Sequence, residues 1–305
     1  MKRRGIKKKI ELVAGRIALK IALMLSGRLS DESIEIWSRR FGNLIYTLSR
    51  RYRTVAETNL AKAFPEWDHE TVRQVARTTF RNFVRAALLF FRAFHLPPEK
   101  VDETVVVSGM EHIEQALAAG NGLILITAHY GNWELAARWL VRRGYKVNVV
   151  ARSTDDPTTT SMVNRVRENG GYNVIDRETG AVAALRCLKR NEVLCILPDQ
   201  NVNGGIFVDF FGRPVATALG PAMFALRSGA PVVCAFAPRG EDGRTYVTVQ
   251  PPLEIERTGD DRKDAYVLTQ KYTRVIEDEI RKDPAQWLWL HDRWRRSGEA
   301  PQSQK

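Results

Sequence analysis

The stretch "GLILITAHYGNWELAARWLVRRG", residues 122–144, changes its apolar pattern halfway along. Its first part is a short, nearly unbroken apolar run behind a glycine, the signature of a buried strand. From Trp133 onward the apolar residues fall at helical spacing, and "YGNW" between the two parts reads as a turn. The same alternation recurs on either side. "TVVVSG" (104–109), "KVNVVA" (146–151), "YNVID" (172–176), "VLCILPD" (193–199), "PVVCAFAP" (231–238) and "TYVTVQPPLEI" (245–255) read as strands, most of them separated by helical stretches. An α/β fold follows, with a mostly parallel, twisted sheet covered by helices on both faces.

Upstream the period is helical throughout. "IEIWSRRFGNLIYTLSRRY" and "TVRQVARTTFRNFVRAALLFFRAF" carry apolar residues three and four apart, and "HLPPEK" at 95–100 stops the run because proline cannot continue a helix. The expected organisation is a helical N-terminal region over residues 1–98, an α/β core over 99–296 continuous with those helices, and a polar tail at 297–305. A chain of 305 residues that is 44% hydrophobic has ample apolar surface for such a core.

The charge is unevenly placed. Residues 1–53 hold 14 Lys/Arg against 4 Asp/Glu, so most of the net charge of +12 sits at the N-terminus. That concentration suits anionic lipid, nucleic acid or an acidic protein. No aromatic-rich RNA-binding signature or reading helix is present, which argues against nucleic acid. The segment "ELVAGRIALKIALMLSGRLS" favours lipid. Apolar residues dominate it, yet Arg16 and Lys20 lie four apart on one helical side. Each would add about 2.5–3.5 kcal/mol to the cost of crossing a bilayer at its centre. A basic helix over residues 1–28, lying in the headgroup region of an anionic membrane surface, is therefore expected in place of a spanning one; a soluble amphipathic helix docked on the core fits the same residues. Cys187, Cys195 and Cys234 form no C-x-x-C pair or zinc-like spacing, which points to a reducing compartment and no metal site.

"GLILITA" should deliver His129 to the carboxyl end of a strand, where open α/β sheets place their ligand sites. Glu134, five positions later, falls in the first turn of the following helix and can bend back toward the imidazole. A carboxylate on one ring nitrogen fixes the tautomer and leaves the other nitrogen to take a proton from a hydroxyl. Free N–H groups at the helix N-terminus are suited to a developing oxyanion. The spacing alone is weak, but His129 is the only one of the 5 histidines with an acid at that distance. Glu134 as a helix-capping residue beside a half-buried histidine is the plainer alternative. G-x-S-x-G, H-E-x-x-H and P-loop signatures are absent from the sequence.

Four stretches, "NLAKAFPEW" (59–67), "GNGLILITAHYGNWE" (120–134), "ILPDQNVNGGIFVDFFGRPVATALGPAMFALRSGAPVV" (196–233) and "QWLWLHDRW" (286–294), resemble in order the motifs of bacterial lipid A biosynthesis (late) acyltransferases, relatives of the glycerolipid acyltransferases. The resemblance implies a glycerolipid-acyltransferase-like fold. It implies an enzyme that moves a fatty acyl chain from an acyl thioester to a hydroxyl of a lipid A precursor at the cytoplasmic face of the inner membrane. The donor it suggests is acyl carrier protein, and no cofactor or metal is called for. Acyl-CoA as donor with a phosphatidylinositol mannoside or related glycolipid as acceptor is the alternative, and a non-catalytic lipid-binding protein a third. Residue by residue, His129 matches the general base and Glu134 its carboxylate. Arg167 matches an arginine that binds a phosphate or the thioester oxygen, and Arg152 a second recurrent arginine. Asp199 and Gln200 fill the position of the acidic-glycine motif of the glycerolipid branch.

Two further stretches suit a lipid substrate. The phenylalanines of "FVDFFGRPVATALGPAMFALRSGAP" can wall an acyl channel or pack in the core. The tryptophans of "QWLWLHDRWRR" fit a membrane interface or a C-terminal helix packed on the sheet.

Overall fold

The computed structural model of the chain describes Arg16 together with residues 27–93, 95–153 and 156–300. Helices α1 (Asp31–Leu48), α2 (Arg50–Ala63) and α3 (His69–Ala93) come first. Helix α1 is capped by Ser30, whose side chain accepts from the Ser33 N–H, and α3 ends before the proline pair as expected. A short helix α4 (Pro98–Thr104) then leads into the sheet.

The sheet has seven strands. In chain order these are β1 (Val105–Ser108), β2 (Leu123–Ile126), β3 (Val147–Ala151), β4 (Asn173–Asp176), β5 (Val193–Ile196), and then, beyond a separate hairpin of β6 (Ile206–Phe210) and β7 (Arg213–Thr217), β8 (Val232–Phe236) and β9 (Thr245–Val249). The spatial order is β1-β9-β8-β2-β5-β3-β4, and only the β8–β9 contact is antiparallel. The mostly parallel sheet read from the sequence is thus present. Helices α5 (Met110–Ala118), α6 (Trp133–Arg142), α7 (Pro157–Asn169), α8 (Ala181–Lys189), α9 (Gly220–Ser228) and α10 (Asp261–Lys282) fill the connections.

Side-chain alternation along the strands divides the core in two. Ile124 and Ile126 face a cluster completed by the N-terminal helices, α8, α9 and α10, whereas Leu123 and Leu125 face a second cluster with α4, α5 and α6. All four residues of β2 are buried, which is why the strand reads as a continuous apolar run.

The phenylalanine-rich stretch forms the β6–β7 hairpin. Its turn is Phe211–Gly212, with φ of +54° and +68°. Two consecutive positive φ values match the right-handed twist of the flanking strands. Phe210 and Phe211 are buried against Trp287, Trp289 and Trp294 in an edge-to-face and stacked aromatic pile. Those rings pack the core and line no channel. The three tryptophans are no more exposed than 3%, so neither a membrane-interface position nor a C-terminal helix describes them; a 3-10 turn at Pro284–Gln286 and irregular chain carry them inward.

The proposed interfacial helix of residues 1–28 lies outside the described residues except for Arg16, Gly27 and Arg28. Arg16 makes a two-pronged ion pair with Asp156, the N-cap of α7, at 2.5 and 2.9 Å. That contact ties Arg16 to the protein body. Ser297, at the start of the expected polar tail, is also tied down, its hydroxyl donating to the Pro214 carbonyl.

Candidate active site

Strands β2 and β5 are parallel neighbours in register, with Ile126 opposite Ile196. Continuing three residues past that pair brings His129 and Asp199 to the same level at the carboxyl edge of the sheet. Nδ1 of His129 lies 2.8 Å from Oδ1 of Asp199, and the backbone N–H of His129 donates to Oδ2 at 2.8 Å. The indole N–H of Trp287 donates to the same oxygen at 2.9 Å. Burial pushes the Asp199 carboxyl up, but the attraction of the imidazole and these hydrogen bonds outweigh it and hold the pKa at about 2. An ionised Asp199 accepts from Nδ1–H, so the neutral imidazole carries its lone pair on Nε2. That nitrogen stands 3.4 Å from the side-chain amide of Gln200.

The turn after His129 is built without slack. Gly131 has φ +64°, and a Cβ there would meet the Ala237 carbonyl oxygen at 2.1 Å. Its N–H donates to the Gln286 carbonyl, that of Asn132 to Ala237, and that of Leu288 returns to the His129 carbonyl. The side chain of Asn132 caps α6 through the Leu135 N–H. The ring of Trp133 stands edge-on to the imidazole at 5.2 Å.

Glu134 sits in the first turn of α6, as expected, but its carboxylate turns away from the imidazole. Arg167 on α7 donates to it at 2.6 and 3.1 Å, and the Tyr172 hydroxyl donates at 2.5 Å. The physical reason is competition. Trp133 covers one side of the ring, Asp199 already holds Nδ1, and a guanidinium and a phenol offer Glu134 stronger partners. Burial would lower the Arg167 pKa, yet the adjacent Glu134 holds it raised; Tyr172 is pushed well up by burial and by the same carboxylate. Arg167 directs only Nε and Nη2 at Glu134, and Nη1 makes no hydrogen bond among the described residues.

His129, Glu134, Arg152, Arg167 and Gln200 all line one cavity of about 720 Å³, a size suited to a small ligand or chain. Arg152 is exposed, one residue past β3. Asp199 is buried behind the imidazole and touches the cavity only through it. Much of the remaining lining is apolar, including Leu125, Ala137, Leu140, Val149, Val247 and Phe224 of the quoted phenylalanine-rich stretch, beside the polar Asp176, Arg177 and Glu178. A smaller cavity of about 240 Å³ on the side of α3 also reaches His129 and Trp133.

Three participants escaped the sequence reading: Tyr172, Trp287 and His291. The last lies in "QWLWLHDRW", where Nε2 accepts the backbone N–H of Asn201 at 3.0 Å and so holds the loop carrying Asp199 and Gln200. Burial pulls its pKa down, which favours the neutral, accepting ring. Asn59 on α2 in turn fastens the segment that carries His291, donating to the Trp289 and His291 carbonyls. No local signal marks these residues; a strand-end histidine and a strand-end aspartate on two buried apolar runs were the available clue to the His129–Asp199 pair.

Comparison with known proteins agrees with this architecture. The sequence profile for bacterial lipid A biosynthesis acyltransferases matches residues 7–296. A phosphatidylinositol mannoside acyltransferase of Mycobacterium tuberculosis is 30% identical over 197 residues, covering 62% of this chain and 60% of that protein. The lipid A biosynthesis lauroyltransferase of Escherichia coli is 27% identical over 257 residues, covering 83% and 82%, and the palmitoleoyltransferase of the same organism is 25% identical over 262 residues, covering 84% and 83%. The alignment thus spans only about 60% of the mycobacterial relative, but the profile runs through nearly the whole chain. The chain belongs to the bacterial lipid A biosynthesis acyltransferase family.

Proposed function

We propose that the protein transfers a fatty acyl chain from an acyl thioester to a hydroxyl of a glycolipid, with His129 as general base. The observation that carries this reading is the His129–Asp199 pair on a cavity large enough for a chain and lined in good part by apolar side chains. Nε2 takes the proton of the acceptor hydroxyl while its oxygen forms a bond to the thioester carbonyl carbon. Asp199 holds the imidazolium that results. When the tetrahedral intermediate collapses, the carbon–sulfur bond breaks and the imidazolium returns its proton to the departing thiolate. The products are an ester and a free thiol. Arg167, pinned by Glu134 and Tyr172, presents its remaining N–H groups to the cavity for the carbonyl oxygen or a phosphate, and free N–H groups at the start of α6 add to the same field. Arg152 and Gln200 contact the substrate at the entrance. The apolar walls hold the acyl chain.

A lipid A precursor is the proposed acceptor, supported by the length of the match to the two lipid A enzymes, and acyl carrier protein is the proposed donor. The mycobacterial relative supports a phosphatidylinositol mannoside as acceptor in the second reading, for which acyl-CoA is the proposed donor. The proposed location is the cytoplasmic face of the inner membrane. No helix among the described residues is long and apolar enough to cross a membrane. The test is transfer of a labelled acyl chain by purified protein from each donor to each acceptor. Product only from acyl carrier protein and only on the lipid A precursor supports the first reading. Product only from acyl-CoA on the mannoside supports the second, and binding of the lipids without product in any combination leaves a lipid-binding protein.

A further inference from the structure

Helix α1 carries two apolar stripes, and the fold uses one. Ile34, Ser38, Gly42 and Tyr46 are buried. The close approach of α1 to α3 sits on that side, where a Cβ on Gly42 would strike the Arg81 backbone at 2.6 Å. The second stripe is Trp37, Phe41, Leu44 and Leu48, which at about 100° per residue lie in one line roughly a third of a turn away. These four are 39%, 45%, 51% and 72% exposed. Tyr52 at the start of α2 continues the line at 49%. Four of the ten exposed large hydrophobic residues among the described residues thus share one stripe of α1, and Tyr52 follows close behind in sequence. A patch so concentrated marks an interaction surface.

Its charge says what it meets. Arg40 stacks over the Trp37 ring at 5.6 Å and Arg51 over the Tyr52 ring at 5.9 Å. Arg39, Arg40, Arg50 and Arg51 have no ion-pair partner among the described residues, whereas the nearby Asp31 and Glu35 are taken by Arg92 and Arg85. Half-exposed aromatics and leucines bordered by uncompensated arginines match the boundary between acyl chains and anionic headgroups. The basic segment that precedes α1 in sequence adds charge of the same sign.

We infer that the Trp37–Phe41–Leu44–Leu48 face of α1, with Tyr52, inserts into the interfacial layer of an anionic lipid bilayer. Insertion draws its purpose from the proposed transfer to a membrane lipid but does not depend on it, and the assay reads no acyl transfer.

The experiment is flotation of the full chain with phosphatidylcholine vesicles, with and without phosphatidylglycerol, at low salt and at about 1 M salt, where the Debye length is about 3 Å and basic segments contribute little. The variant Trp37→Gln/Phe41→Gln/Leu44→Gln is expected to partition about tenfold or more weaker at high salt, with an unchanged melting temperature. Leu44→Gln alone gives a smaller loss in the same direction, should the triple variant fold poorly. Arg39→Gln/Arg40→Gln/Arg51→Gln is expected to lose the preference for phosphatidylglycerol at low salt and keep the high-salt partition. Wild-type partition by both apolar variants at high salt overturns the inference. So does unchanged partition with a shift from dimer to monomer, which makes the patch a contact between copies, or with a lowered melting temperature, which makes it a seat for the chain's own N-terminal segment.

Discussion

His129 and Asp199 leave adjacent parallel strands at the same level, and the imidazole Nδ1 stands 2.8 Å from the carboxylate because Ile126 and Ile196 are paired three residues earlier. The sheet register thus sets the geometry of the candidate base directly. Trp287 locks the second carboxylate oxygen from a segment nearly ninety residues away.

His129→Ala is expected to reduce acyl transfer by about 10²–10⁴-fold, the usual contribution of a general base. The imidazole is the partner of the buried Asp199, so a lower melting temperature is expected alongside, and activity is compared on folded protein. Near-wild-type turnover in a single-turnover assay would remove His129 from the mechanism.

The two carboxylates should separate in kinetics. Asp199→Asn is expected to lower kcat more than Glu134→Gln does, because only Asp199 touches the ring. The opposite order would return the role of imidazole partner to Glu134.

Asp199 also predicts a pH dependence of stability. Its pKa in the fold, about 2, lies below the ordinary carboxylate value, so its stabilising effect is complete above that ordinary value and disappears as pH falls toward about 2. The stability gap between wild type and Asp199→Asn, read by denaturant unfolding, should therefore be widest near neutral pH and shrink in acid. A gap that widens in acid contradicts an ionised Asp199.

Glu134 and Arg167 should be energetically coupled. A double-mutant cycle of Glu134→Gln with Arg167→Met is expected to give a coupling of about 0.5–3 kcal/mol in unfolding experiments, the range for contacting residues. Additive effects would mean that the 2.6 Å ion pair does not hold α7 to α6.

His291→Ala leaves the Asn201 N–H without its acceptor and loosens the loop that carries Asp199 and Gln200. The expected result is a fall in kcat with KM for the thioester largely kept. His291→Gln, which can restore an acceptor, should recover part of it. Equal loss in both variants would assign His291 to packing alone.

Much of the architecture was legible in the sequence because it rests on local pattern. A buried parallel strand must be apolar on both faces, so β2, β5 and β8 announce themselves as "LILI", "VLCI" and "VVCAF", and the amphipathic helices before residue 95 do so by their spacing. The glycine turn and the strand-end position of His129 are local in the same sense. The carboxylate on its ring is not. Glu134 is five residues from His129 and Asp199 seventy, yet β2–β5 register delivers the distant one, while Arg167 and Tyr172 draw the near one away. The aromatic stretches show the same division. Composition allowed Trp287, Trp289 and Trp294 at a membrane surface, and only packing against Phe210 and Phe211 decided that they are core. Trp37 and Phe41, of similar chemistry, stay half exposed because α3 covers the other stripe of their helix. Chain pattern determines which segments become strands and helices; which side chains meet, and which apolar faces stay open, depends on partners brought together only by the tertiary fold.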